Sequence, residues 1–221
     1  MPGRSSSSKP PRDAVHHPLF ARFYARMSPR AEQGAGIGAY RDQLLDGLTG
    51  RVIEIGAGNG LNFAHYPNTV SEVVAIEPER RLRRLAAEAA LRAGIPVDVV
   101  PGTAEALPVK SEAFDAAVAS LVLCSVRDPE RSLRELRRVL RPGGQLRFFE
   151  HVRSHRTITR AAQWTVDHTV WPLLLGGCHT SRDTVAAIKR AGFEVGPYDE
   201  IRVPFNGPAA GHVLGSARKP A

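Results

Sequence analysis

The apolar run Arg51-Val52-Ile53-Glu54-Ile55 leads straight into Gly56-Ala57-Gly58-Asn59-Gly60, and no other stretch constrains the fold of this chain so strongly. A short buried strand that ends in alternate glycines, with a helix expected over 59–65, makes a backbone shelf that no side chain blocks. Glycine tolerates positive φ and lets a ligand approach the main chain closely, and a helix start offers N–H groups without intrahelical partners. A flat, polar ligand is expected against this turn. The dinucleotide fingerprint places its glycines at the first, third and sixth positions. Here the sixth position is Leu61, and the glycines fall at the first, third and fifth.

The pattern downstream extends the argument. The run Val73-Val74-Ala75-Ile76 ends in Glu77-Pro78. A carboxylate at a strand end, about twenty residues past the glycine turn, can accept hydrogen bonds from both hydroxyls of a ribose, a device that NAD sites also use. Next comes Gly102-Thr103-Ala104-Glu105-Ala106-Leu107-Pro108, where small residues and one acid could wrap an adenine edge; the same residues also suit an ordinary turn and short helix. Phe114-Asp115-Ala116-Ala117-Val118-Ala119 reads as a further buried strand and runs into Ser120-Leu121-Val122-Leu123-Cys124-Ser125-Val126. A helix over 129–140 is then stopped by Arg141-Pro142-Gly143-Gly144.

The coarse order is helices over 19–27 and 39–48, strand 51–55, helix 59–65, strand 72–76, helix 79–93, strands 97–100 and 114–119, helix 129–140 and strand 145–151. Helices over 158–174 and 181–191 follow, the second with Ser181 available as its cap, and strands near 193–199 and 212–217 close the chain. Gly34-Ala35-Gly36-Ile37-Gly38 has no strand before it and reads as a loop. Strand–helix alternation implies an α/β fold: a mostly parallel, seven-stranded sheet with helices on both faces and an antiparallel last strand. Its ligand belongs at the carboxyl ends of the strands.

Residues 1–15 read as a disordered, Ser-, Pro- and Arg-rich tail. Residues 16–50 form an N-terminal helical segment, and residues 51–221 the domain proper. The stretch Leu19, Phe20, Phe23, Tyr24 carries aromatics that could cover the site as a lid, dock on another chain or meet a membrane surface. No run of 18 apolar residues is present, so no transmembrane span is expected, and the first residues lack the apolar stretch of a signal peptide. A cytoplasmic location follows, and it suits two cysteines without a disulfide framework. Of the 30 basic residues 26 are arginine, and the formal net charge is +8. Arg127, Arg131, Arg134, Arg138 and Arg141 recur at helical spacing opposite Leu133, Leu136 and Leu140. That stripe reads as a solvated helix face; interleaved aromatics, which stacking on nucleic acid requires, are absent. No nucleic-acid partner is expected.

The 1-3-5 glycine spacing, the strand-end acid, the strand led by Asp115 and "LRELRRVLRPGG", in this order, resemble the class I methyltransferases that use S-adenosylmethionine (SAM). The finer pattern "VIEIGAGNGLNFAHYP", "SLVLCSVRDPERSLRELRRVLRPGGQLRFFEHVRS" and "GCHTSRDTVAAIKRAGF" resembles the methyltransferase-like thiol S-methyltransferases, a group within the methyltransferase type 11 domain family. The resemblance spans roughly residues 50–193, with a weaker echo in "GPAAGHVLGSA". The animal members carry an apolar N-terminal anchor that this sequence does not show, which puts membrane attachment and the attendant lipophilic substrates in doubt.

The resemblance implies SAM as cofactor and a small, fairly apolar methyl acceptor, a thiol first. N-methylation of a phospholipid headgroup, C-methylation of a quinone precursor, and a SAM-binding protein without catalysis are the alternatives. Cofactor contacts are assigned to Glu54, Gly56, Ala57, Gly58 and Gly60 at the turn, and to Asn62 and Phe63 at the start of the following helix. Glu77 and Pro78 are assigned to the ribose, Thr103, Ala104 and Glu105 to the adenine, and Ser120, Leu121 and Val122 to the sulfonium and methyl. A thiol reacts as thiolate, with a free pKa of about 8.5, so a base or cationic neighbour would help. His151 is the first candidate and His179 the second, although either could be a structural histidine. Cys124 and Cys178 read as packing residues. Cys178-His179 without a second ligand pair makes a poor zinc site, and no metal is assigned. Trp164 and Trp171 share a helical face and either line the substrate pocket or pack.

Overall fold

Five runs of alternating or continuous apolar residues become parallel strands because each can be covered on both faces. The computed structural model describes residues 18–154, 156–169, 172, 175–202 and 211–221. Strands β1 (Gly50–Ile55), β2 (Val70–Ile76), β3 (Val97–Val100), β4 (Phe114–Ser120) and β5 (Leu140–Val152) run parallel, and β7 (Gly211–Arg218) lies antiparallel between β5 and β6 (Glu194–Arg202). The sheet order is β3-β2-β1-β4-β5-β7-β6, which puts the reversal of strand order between β1 and β4. In such sheets the ligand crevice opens at that point, beyond the carboxyl ends.

Strand alternation sends neighbouring side chains to opposite faces. Ile53, Ile55, Val74, Ile76, Ala117 and Ala119 enter one core with Leu133, Leu136 and Val139 of helix α4 (Pro129–Val139) and with Val185 and Ile188 of helix α6 (Thr184–Arg190). Val52, Val73, Ala75, Ala116 and Val118 enter the other with Leu44 and Leu45 of α2 (Ile37–Leu45) and Ala86 of α3 (Arg80–Ala90). Helices therefore cover both faces, as the alternation of elements implies. Helices α1 (Pro18–Ala35) and α5 (Thr157–Asp167) complete the set. No described helix is long and apolar enough to cross a membrane.

Three expectations about helices are corrected. The helix expected over 59–65 is a loop that closes in a single 3₁₀ turn, Phe63–His65. Gly58 and Gly60 sit at φ 59° and 80°, outside the right-handed helix, and Tyr66, which precedes Pro67, is extended at ψ 133°. Too few residues remain between them for an α-helix, so no helix N-terminus stands at the shelf. The loop read at 34–38 is instead one residue wide: Gly36, at φ 66°, is the hinge between α1 and α2. The last helix begins at Thr184 with Asp183 as its cap, accepting from Ala186 N at 3.1 Å. Ser181 is taken elsewhere, because its hydroxyl donates to Asp167 Oδ2 at 2.5 Å.

The helix expected over 158–174 is observed as α5, Thr157–Asp167, followed by a turn at 168–169; most of the remainder lies outside the described residues, as do the 1–15 tail and Trp171. The stop at Arg141–Gly144 appears as a break in pairing, because β5 meets β4 at Leu140↔Phe114 and again only from Gln145↔Ala116. The arginine stripe faces solvent, with Arg127, Arg131, Arg134 and Arg141 exposed and Arg138 half-buried, and three of its members hold neighbouring segments. Arg131 donates to Glu105 O at 2.9 Å, Arg138 pairs with Glu135 at 2.7 Å, and Arg141 pairs with Asp115.

Candidate cofactor cleft and acceptor end

The carboxyl ends of β1, β2 and β4 and the loop after β3 surround a cleft of about 630 Å³. Its base is the glycine shelf. Gly56 (φ 62°) and Gly58 (φ 59°) both line it. An added Cβ at Gly56 would stand 2.3 Å from Val122 Cγ2 and 2.8 Å from Val122 Cβ, so only glycine fits there. Gly60 serves differently. Its Cβ direction points at the Phe63 ring (2.7 Å) and Ala89 (2.9 Å), which makes it a close-packing glycine behind the shelf.

Glu77 is buried at the cleft edge, with Oε2 accepting from Gly58 N at 2.7 Å and Oε1 from Glu79 N at 2.8 Å. Burial pushes its carboxyl up to about 7, with these two amides pulling the other way. A carboxylate offers about four acceptor positions, so two remain for donors in the cleft. Pro78 also lines the cleft, as do Thr103, Ala104 and Glu105 on one side and Ser120, Leu121 and Val122 on the other.

Leu121 occupies φ 55°, an uncommon state for a non-glycine residue, and its N–H donates to Phe149 O at 2.7 Å. The cause is Glu150 on β5, fully buried, whose carboxyl accepts from Val122 N (2.9 Å), Leu123 N (2.8 Å) and Cys124 N (3.3 Å). Burial raises the Glu150 pKa and these amides oppose the rise. Glu150 thus folds the 121–124 turn that walls the cleft.

The remaining assigned residues stand away from the cleft. Glu54 faces the other way along β1, accepting from Asn62 Nδ2 at 2.8 Å and from the Tyr66 hydroxyl at 2.7 Å, while Arg41 donates to Asn62 Oδ1. Burial pushes Glu54 up to about 7. Ala57, Asn62 and Phe63 are likewise buried behind the shelf, so this group shapes the turn from underneath.

His151 and His179 are both outside the lining of the cleft. His151 Nδ1 lies 3.4 Å from Cys124 Sγ and 3.7 Å from Cys178 Sγ, and the two sulfurs are 3.7 Å apart. Cys178 therefore groups with Cys124 and His151 rather than with its neighbour His179. The contact with Cys178 and burial raise the Cys124 thiol pKa well above the ordinary value. His179 Nδ1 lies 2.7 Å from Gly177 O; a carbonyl only accepts, so in the neutral ring the proton sits on Nδ1 and Nε2 keeps its lone pair.

Two further sets of residues complete the lining, one of them from the aromatic stretch of the N-terminal segment. Gly176 and Gly177 close one end of the cleft, and Phe20 and Tyr24 of α1 lie across it with ring centroids 5.5 Å apart. A Cβ at Gly176 would meet Phe20 at 2.7 Å, and one at Gly58 would meet Tyr24 at 3.2 Å. The other apolar residues of the stripe, Leu19 and Phe23, face solvent at 79% and 47% exposure, so the stripe splits between cleft and surface. Glu79, which caps α3 by accepting from Leu82 N at 2.8 Å, also reaches the lining. Trp164 is exposed and stacks on His168, 4.2 Å between centroids, and takes no part in the cleft.

With this geometry in view, residues 53–148 match the family model described as a methyltransferase domain. The chain is 34% identical to thiol S-methyltransferase TMT1B of Mus musculus, across 91% of this chain and 83% of that protein. It is 33% identical to TMT1B of Homo sapiens, across 79% and 74%. Among solved structures, that of a SAM-dependent methyltransferase, possible histamine N-methyltransferase, from Thermotoga maritima superposes with a TM-score of 0.65 at 25% identity, covering 91% of this chain and 98% of that one.

Proposed function

This chain belongs to the SAM-dependent methyltransferase family, and from that premise we propose that it methylates the thiol of a small, fairly apolar acceptor. The observation that carries the thiol is the similarity to thiol S-methyltransferases along nearly the whole chain. The apolar acceptor end, walled by Phe20, Tyr24, Leu121, Val122 and Val126, supports the second half of the reading.

The cleft fits SAM. The shelf at Gly56 and Gly58 is open where any Cβ would intrude, and Glu77 has two acceptor positions left over. When bound, SAM supplies an electrophilic methyl on a sulfonium, whose departing sulfur takes the bonding electron pair as the acceptor sulfur attaches. The residues do the positioning. Glu77 holds the ribose, Thr103, Ala104 and Glu105 flank the adenine, and Ser120, Leu121 and Val122 face the reacting end. Alignment of this kind contributes up to roughly 7–11 kcal/mol to such a displacement. His151 is committed to the two cysteines, and His179, held through Nδ1 by Gly177 O, is the base we assign to the acceptor thiol.

The test is a mass-spectrometric screen of purified protein with SAM over thiols, amines, phenols, quinols and phospholipid headgroups. A methyl thioether is expected, formed fastest from apolar thiols. SAM turnover with methyl on nitrogen, carbon or oxygen instead would overturn the thiol.

A pH effect follows from Glu77. Its carboxyl is pushed up to about 7 in the free protein, and ribose hydroxyls donate more strongly to the ionised carboxylate than to the acid, which keeps fewer acceptor positions. SAM binding therefore expels a proton, and affinity is low below the folded pKa and rises with pH until Glu77 is ionised. Calorimetry is expected to give affinity rising on the order of tenfold between about pH 5.5 and 7.5. Glu77→Gln is expected to bind more weakly throughout, with that slope gone.

A further inference from the structure

Cys124, His151 and Cys178 come from three separate parts of the chain: the turn after β4, the end of β5, and the segment after Gly176-Gly177. Their three ligand atoms lie within 4.8 Å of one another, the one such grouping among the described residues. We propose that they form a binding site for a soft divalent cation of the zinc class, through two thiolates and the His151 Nδ1, with the fourth position left to water or an exogenous ligand. The site does not rest on the identity of the methyl acceptor.

The distances carry the argument. A tetrahedral zinc ion has Zn–S of about 2.3 Å and Zn–N of about 2.0–2.1 Å, which places neighbouring sulfurs about 3.8 Å apart and a sulfur and nitrogen about 3.5 Å apart. The sulfurs here are 3.7 Å apart, and Nδ1 is 3.4 and 3.7 Å from them. The triangle therefore already has the size of one face of the coordination tetrahedron. Two thiolates match the charge of a divalent ion. Sulfur and imidazole donors select zinc over magnesium or calcium, which prefer oxygen.

The surroundings hold each ligand in place, as a preorganised site requires. Glu150 accepts from Cys124 N, and His179 N donates to Cys124 O at 2.9 Å, which fastens the first cysteine from both sides. Thr184 Oγ1 donates to His151 O at 3.1 Å. Arg182 bridges Leu123 O and Val126 O at 2.6 and 2.8 Å, joining the Cys178 segment to the turn that carries Cys124. Both cysteines are buried, at 1% and 8% exposure. An ion here would tie together Val122, Ser125 and Gly177, which wall the acceptor end of the cleft. The proposal reverses the sequence expectation that assigned no metal, since 26 residues separate each ligand from the next and no local spacing betrays the set.

The same distances would arise from a thiol–thiol–imidazole hydrogen-bonded cluster, and the experiment separates the two. Metal-free, fully reduced full-length protein is titrated with Co²⁺ as a spectroscopic substitute. The expected result is a thiolate-to-cobalt charge-transfer band with the d–d bands of a four-coordinate ion, saturating at one ion per chain and removed by Zn²⁺. Two protons per chain should appear in the buffer as the thiols ionise. Cys124→Ser and Cys178→Ser are each expected to abolish the saturable band, with folding checked by circular dichroism and SAM binding. Should either variant fail to fold, thiol counting on wild type decides: Zn²⁺ should protect both thiols from a disulfide reagent. No saturable band, a band that persists in both variants, or thiols that react equally with and without Zn²⁺ would each overturn the site.

Discussion

Gly56→Ala is expected to remove measurable SAM binding and to lower the stability of the fold. The new methyl would lie 2.3 Å from Val122 Cγ2 on a backbone held at φ 62°. A left-handed backbone costs an L-residue roughly 1–2 kcal/mol, and overpacking a filled site adds roughly 1–3 kcal/mol. The sum, about 2–5 kcal/mol, is comparable to a large part of the stability of an ordinary domain, about 5–15 kcal/mol. Most of the protein should stay folded at 25 °C while the shelf is displaced, so the loss in SAM affinity should exceed the loss in stability. Adding Val122→Ala should recover only part of both, because Val122 Cβ would still stand 2.8 Å from the new methyl. Denaturant unfolding and calorimetry on the two variants measure both effects. Wild-type affinity in Gly56→Ala would remove the shelf from the site.

Glu77→Ala is expected to have a comparable effect by a different route. Hydrogen bonds to a charged acceptor contribute about 1.5–3 kcal/mol each, and two ribose hydroxyls would lose theirs. The SAM dissociation constant should therefore rise by about 10²–10⁴-fold, using 1.4 kcal/mol per tenfold. Gly58 N and Glu79 N also lose their acceptor, so the unliganded protein should be destabilised by about 1–3 kcal/mol per buried donor left unpaired. Affinity for adenosine, which keeps both hydroxyls, should fall in parallel with SAM, whereas affinity for methionine should not change. A change confined to the methionine part would place Glu77 elsewhere in the site.

What could be read from the sequence follows the range over which each interaction acts. The strands were legible because Val52 and Ile53, or Ala116 and Ala117, face opposite cores, and that alternation is a local property. Gly56, Gly58 and Glu77 were legible because strand ends at βαβ spacing converge on one edge of a parallel sheet. Gly60 sits in the same motif and has another task, which shows only when Phe63 and Ala89 are placed beside it. A glycine turn after a strand implies a helix over 59–65, but positive φ at Gly58 and Gly60 and the extended Tyr66 before Pro67 set the backbone there instead.

The acids needed the fold most. Glu54, Glu77 and Glu150 all stand in apolar strands, yet one faces buried Asn62 and Tyr66, one edges the cleft, and one braces the 121–124 turn from the neighbouring strand. An acid inside a buried strand was the available signal for Glu150, and its partners lie 26–28 residues earlier. The grouping of Cys124, His151 and Cys178 depends on the β4–β5 pairing and on the return of the chain after α5, neither of which spacing alone defines. The placement of Phe20 and Tyr24 over one end of the cleft likewise depends on where α1 packs.

Hydrogen–deuterium exchange of the full chain, with and without saturating SAM, tests most directly that this cleft is the cofactor site. Exchange is expected to slow in peptides holding residues 56–60, 77–79, 103–106 and 120–126, with little change in the outer strands β6 and β7. Slowing confined to other segments, or none at these four despite proven SAM binding, would contradict the assignment.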